Sequence, residues 1–182
     1  MSTITIVPAN KQLHSVNVKD YRNQMRHFIM TSRFNNNTWN ENENYRTLHT
    51  KIGCIYGSPC PISINIPHEA IMFILEMNND TNKISGIGMV RNKPQINKNR
   101  VYENGNYNRY SFMGKCRIDR EQMTEEEKLI LSVFDILCFT GNRHMKRGQG
   151  LTSFPIDMLY RCHYKLDLIE FVRNMFKIRY SN

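Results

Sequence analysis

The chain has no apolar run near the roughly 18 residues that a membrane-spanning helix needs, and its opening, M-S-T-I-T-I-V-P, lacks the basic start and apolar stretch of a signal peptide. A soluble, intracellular protein with no membrane partner is the expectation. None of its five cysteines forms a C-x-x-C, which argues against a zinc ribbon or a disulfide framework, so free thiols and no metal site are expected. The six histidines are scattered, and the adjacent Cys162-His163 pair would point to different sides of a helix. There is no G-x-S-x-G, no G-x-x-x-x-G-K-[ST] and no paired carboxylate outside Glu125 to Glu127, which read as a helix cap. No catalytic residue, cofactor or enzymatic activity is prompted. His144 is the one candidate general acid, and no second histidine is nearby in sequence.

What is present is positive charge. In 182 residues, 25 Lys and Arg outnumber 16 Asp and Glu for a net +9, so a polyanion is the natural partner. Hydrophobic residues at 40% are enough for a core. The charge is uneven: residues 1–80 carry a net +1, 81–120 +7, 121–140 −4 and 141–182 +5. Two basic segments thus flank an acidic one, and a fold that brings them together makes one positive face. The 22 asparagines favour turns, and a biased genome would supply many of them without functional cause.

Residues 1–18 read as an irregular lead-in or a short strand at Thr3 to Val7. From Lys19 to Phe34, Tyr21, Met25, Phe28 and Ile29 recur at helical spacing, with a strand from His27 to Ser32 as the alternative. Asn35 to Asn44 reads as turn, followed by a short helix to Thr50. Gly53, Gly57, Pro59, Pro61 and Pro67 forbid a long helix between Ile52 and Pro67. Ala70 to Met77 and Lys83 to Val90 read as a hairpin at the centre of a sheet, with Gly86 and Gly88 marking a bulge or a close approach. Arg100 to Tyr102 and Arg109 to Ile118 add strands, and Thr124 with Glu127 caps a helix to about Cys138. Pro155 to Tyr160 begins a helical turn, and Leu166, Ile169, Val172 and Phe176 line a final helix. The fold class expected is α+β: a curved mixed β-sheet, or a small open barrel, flanked by helices. One domain over 1–182 is expected, with 1–50 as an N-terminal extension.

Two segments carry chemistry. In Gly141-Asn142-Arg143-His144-Met145-Lys146-Arg147-Gly148-Gln149-Gly150, three fixed cations and a histidine lie in a glycine-bounded loop whose free amides near Gly148 and Gly150 suit phosphate. From Arg100 to Arg120, Tyr102, Tyr107, Tyr110 and Phe112 alternate with basic residues, the pattern of a surface that stacks on unpaired bases while cations meet the backbone. Trp39 either anchors a loop on the core or stacks on a base, and Tyr56 is an isolated aromatic suited to a pocket wall.

The order of the hairpin I-M-F-I-L-E-M-N-N-D-T-N-K-I-S-G-I-G-M-V, the strand Y-S-F-M-G-K-C-R-I-D and the loop R-H-M-K-R-G-Q-G resembles the PUA-like superfamily, especially its YTH and EVE branches, over about Ile52 to Phe171. The resemblance implies a curved sheet or barrel with a pocket for a modified or flipped base. It puts Tyr56 at one wall, Tyr107 or Tyr110 at the other, and Arg143, Lys146 and Arg147 on the phosphates. The chain departs from YTH readers of N6-methyladenosine, whose cage uses at least two tryptophans. The Asn-, Lys- and Ile-rich style also resembles proteins of large DNA viruses of protists, which implies host cytoplasm or a viral factory.

The expected function is recognition of an exposed RNA nucleotide, plain or modified (methylated), or an mRNA 5′ end. Trp39, Tyr56, Tyr107 and Tyr110 are the candidate base-stacking pocket; Arg91, Arg109, Arg117, Arg143, His144, Lys146 and Arg147 are the candidate phosphate contacts. The alternative is a structural or assembly protein whose basic face meets acidic protein partners.

Overall fold

A computed structural model describes residues 11–181, so the strand read at Thr3 to Val7 lies outside the described residues. The chain runs α1 (Lys11–Gln24), β1 (His27–Phe34), α2 (Asn36–Leu48), β2 (Cys54–Ser58), β3 (Ile71–Asn78), β4 (Lys83–Arg91), β5 (Gln95–Ile96), β6 (Tyr110–Gly114) and β7 (Cys116–Asp119). It continues with α3 (Glu125–Phe139), β8 (Leu151–Ser153), α4 (Ile156–His163) and α5 (Leu168–Tyr180). The fold is α+β. Its strands form a five-stranded mixed sheet in the order β7-β4-β3-β1-β8 and a three-stranded sheet β2-β6-β5, neither of them closed into a barrel. Among the described residues no helix is long and apolar enough to cross a membrane.

The large sheet is covered on both faces. Alternation along β1 and β3 sends Ile29, Phe73, Leu75 and Met77 one way, where they meet Leu131 and Phe134 of α3, Leu159 of α4 and Val172 and Phe176 of α5. It sends Met30, Phe34, Met72 and Ile74 the other way, against Ile55 and Tyr56 of β2, Phe112 of β6 and the inner side of α2. A strand buried on both faces reads as continuous apolar sequence, as Ile71 to Met77 does.

Three segments differ from expectation. The helix read over Lys19 to Phe34 is two elements: α1 stops at Gln24, and His27–Phe34 pairs in parallel with Ile71–Asn78 along its whole length. Phe28 and Ile29 satisfy both periods, and β3 decides between them by supplying a ladder of hydrogen bonds. β1 therefore lies inside the main sheet although it falls within the stretch read as an extension. The Asn35 to Asn44 turn is the start of α2, because the Asn35 side chain accepts from the Thr38 N–H and the Thr38 hydroxyl accepts from the Asn35 N–H, a reciprocal cap. The strand read from Arg109 to Ile118 divides at Lys115, with Tyr110–Gly114 pairing to β2 and Cys116–Asp119 to β4 in the other sheet. Arg100 to Tyr102 is loop.

Gly86 and Gly88 mark close approach. A Cβ on Gly88 would lie 1.9 Å from the Tyr56 hydroxyl, and one on Gly86 2.8 Å from a Glu76 carboxylate oxygen, so a side chain from β2 of the small sheet and one from the adjacent β3 cross β4 at these positions. The irregular register sits opposite, between Leu75 and Met77 of β3.

Candidate nucleotide-binding cleft

The candidate residues separate into a sealed cluster between the two sheets and an open cleft at one end of them. In the sealed cluster Tyr56 is fully buried and donates its hydroxyl to Glu76 at 2.7 Å. Burial, then the Glu76 charge, push its phenol pKa well up, so it stays protonated. Arg117 crosses Gly86 to reach Glu76 through Nε and Nη2, at 2.9 and 2.8 Å, and Asp119 through Nη1 at 2.6 Å. Burial pulls its pKa down, but the two carboxylates outweigh burial and raise it. Trp39 packs edge-on against Phe34, with the guanidinium groups of Arg46 and Arg117 over its ring at 5.6 and 5.5 Å. Tyr56 therefore offers no face to a base, Arg117 has its charge committed, and Trp39 has a cation on its ring. Tyr56 and Arg117 are structural, which corrects their placement among ligand contacts; Trp39 is half-buried, packs on Phe34 and does not line the cleft.

The cleft encloses 330 Å³ where β1 and β3 end. Its walls come from four elements: Ser32, Arg33 and Phe34 of β1; Asn35 and Thr38 at the start of α2; Tyr102, Asn104 and Tyr107 of the loop before β6; and Gly148 and Gly150 of the basic loop. Asn79, after β3, and Gly57 of β2 complete it. Thus Tyr107 and the glycine-bounded loop, about forty residues apart, share one cavity, whose one lining cation is Arg33. Tyr102 stands edge-on to Tyr107 with ring centroids 6.2 Å apart, and its hydroxyl accepts from the buried Asn42 amide at 2.9 Å. Tyr102 is fixed and Tyr107 is the more exposed of the two rings.

Arg33 holds the basic loop in place. Its Nε donates to the Met145 carbonyl at 2.5 Å and its Nη1 to the Gly150 carbonyl at 3.3 Å, while Nη2 donates to the hydroxyls of Thr31 and Thr152. A Cβ on Gly148 would lie 2.1 Å from Nη2, so the loop follows the guanidinium closely. Gly150 has φ +61, where a side chain would be strained. Asn79 ties the loop to the hairpin through Nδ2 and the Lys146 carbonyl at 3.1 Å, and its Oδ1 is buried without a hydrogen-bond partner among the described residues.

The remaining candidates lie at varied distances from this cavity. Arg109 and Arg147 are exposed and make no ion pair or side-chain hydrogen bond among the described residues. Arg109 follows Tyr107 by two positions, and Arg147 precedes Gly148. Lys146 donates to Asn82 Oδ1 at 2.8 Å, and His144 Nδ1 accepts from the Lys146 N–H at 3.4 Å. Arg143 is held by both oxygens of Asp157, at 2.9 and 3.3 Å. Tyr110 is half-buried against the small-sheet core and is not part of the cleft wall. Arg91 pairs with Ile71, at the start of β3, while the cleft adjoins its end; eight residues of strand put roughly 23 Å between them. Arg91 is therefore not part of a track through this cleft.

Sequence reasoning missed Arg33, Asn35, Thr38 and Asn79. Arg33 interrupts an otherwise apolar and hydroxyl-bearing strand, F-I-M-T-S-R-F, and that was the available signal. No family model matches the chain, and comparisons with curated proteins and with solved structures return no match.

Proposed function

We propose that the protein is a non-enzymatic RNA-binding module that takes one exposed nucleotide into the cleft between Tyr107 and the basic loop. The observation that supports this reading most is the joining of Tyr107 with Gly148 and Gly150 in a single 330 Å³ cavity; Arg147 and Arg109, next to Gly148 and two residues after Tyr107 in sequence, have no ion pair among the described residues. An aromatic face stacks on any base, and cations that have no protein partner are free for backbone phosphates. The base need not be N6-methyladenosine: the lone tryptophan is occupied, so a two-tryptophan cage is not what the cleft offers.

The test is fluorescence anisotropy with capped, uncapped, methylated and plain RNA oligonucleotides over a salt series. Affinity is expected to fall with a log-log slope of roughly −0.7 per phosphate contact, and Tyr107→Ala to weaken binding by about 1–3 kcal/mol. A flat salt response, or unchanged affinity in Tyr107→Ala, overturns the reading. The assembly alternative draws on a different observation: Leu129 and Ile136, two turns apart on α3, are 66% and 61% exposed. It expects concentration-dependent association in sedimentation that Leu129→Lys abolishes, with no preference among oligonucleotides.

A further inference from the structure

Arg33 carries a charge that no described residue neutralises. Among the described residues eight ion pairs join Lys or Arg to a carboxylate, and Arg33 takes part in none; its partners are carbonyls and hydroxyls. Burial is the leading influence on its pKa and lowers it, the direction that an uncompensated cation shows. A guanidinium nonetheless remains protonated, so the charge stays. With one recorded bond on Nη1, which bears two hydrogens, a donor is left over on the wall of the cleft.

The basic loop adds a second, independent feature. The backbone N–H groups of Arg147, Gln149 and Gly150 find no acceptor among the described residues, whereas that of Gly148 closes the turn over residues 146–147; Gly148 and Gly150 line the same cavity. Successive unbonded amides around a glycine of positive φ form an anion-binding concavity. Asp80, whose carboxylate accepts from the Asn36 N–H at 2.7 Å, does not line the cleft.

We infer that the cleft seats a nucleotide's phosphate group on Arg33 and the Arg147 to Gly150 backbone, so that its ligand is a nucleotide and not a bare base or nucleoside. The inference rests on the nucleotide reading above for the rest of the ligand, but the phosphate seat is tested apart from it. A loop already wrapped around the cation needs little rearrangement to receive the anion, which keeps the ordering cost of binding low. The phosphate can be a terminal monoester or an internal diester, and the two are separable by experiment.

The experiment is a ¹H–¹⁵N titration of the full chain with inorganic phosphate, adenosine 5′-monophosphate, adenosine, and a dinucleotide bearing only an internal diester. Saturable shifts at the amides of 147–150 are expected with phosphate and the monophosphate, and adenosine is expected to bind at least tenfold more weakly than its monophosphate. Comparable affinity for the dinucleotide assigns the seat to a diester; a tenfold loss assigns it to a terminal phosphate. Arg33→Gln should lose at least tenfold in monophosphate affinity and Arg33→Lys less, with Arg91→Ala, at the far end of the sheet, unchanged. Silent 147–150 amides in wild type that still binds RNA would overturn the seat and leave the nucleotide reading standing. Shifted amides with no RNA binding would overturn that reading and leave the seat. The wild-type arms decide even if Arg33→Gln misfolds.

Discussion

Arg117 and Arg33 are both largely hidden guanidinium groups on the same sheet, and their surroundings are opposite. Arg117, between the sheets, has Glu76 and Asp119 within 2.9 Å and a tryptophan face beside it. Arg33, on the face shared with Ile29 and Thr31 and at the cleft, has carbonyls and hydroxyls but no carboxylate. The first arrangement is closed: charge, donors and acceptors are matched inside the protein, and nothing is left for a ligand. The second satisfies geometry without neutralising charge. A buried pair resists separation, whereas an unpaired cation at a cavity rewards an anion.

The largest expected effect breaks the closed cluster. Glu76→Ala leaves Arg117 buried beside an unpaired Tyr56 hydroxyl and should cost about 3–5 kcal/mol in urea denaturation. Glu76→Leu combined with Arg117→Met and Tyr56→Phe should recover most of that loss, since exchanging the whole cluster for apolar groups removes both the stranded charge and the stranded hydroxyl. Arg33→Gln should cost less, about 1–3 kcal/mol, because it strands only carbonyls and hydroxyls; equal costs for Arg33→Gln and Glu76→Ala would erase the distinction between the two sites. Gly88→Ala drives a methyl into the Tyr56 hydroxyl and should destabilise by about 1–3 kcal/mol, also read by denaturation.

A smaller effect comes from the helical side, where Glu127 pairs with Arg179 at 2.6 Å. The Arg179 hydrogen bond is the main reason that the Glu127 carboxyl titrates below its ordinary 4.5. A carboxyl depressed in the folded state stabilises fully above its unfolded pKa and loses that contribution as pH falls through the folded one. The stability difference between wild type and Arg179→Met should therefore hold at pH 7 and shrink below about 4.5. Equilibrium unfolding at a series of pH values checks this. The smallest effect is chemical: Cys60 is exposed, while burial pushes the Cys54 thiol up to about 12, so a disulfide reagent at pH 8 should modify Cys60 early and leave Cys54 until the protein unfolds.

Local chemistry was legible. Thr124 and Glu127 form the reciprocal cap that their spacing announces, with the Thr124 N–H donating to Glu127 at 2.9 Å, and the hairpin of β3 and β4 follows its apolar run and Asn-rich turn. The basic loop and Tyr107 were recognisable because charge and glycine content are local properties. Tyr56 and Arg117 were misplaced for one reason: an isolated aromatic or cation has the same appearance in sequence whether a core or a ligand covers it.

The amino-acid sequence by itself determined the local periods, the helix cap of α3 and the positions of the two cationic segments, because these depend on residues within a few positions of one another. Only the tertiary structure decided which arginine is neutralised. Arg117 reaches a carboxylate 41 residues away across Gly86, and Arg33 is wrapped by a loop more than 110 residues on that carries no acid to meet it. Counter-ions are assigned by distances in space, and burial weakens the screening by water that would otherwise make the two charges alike.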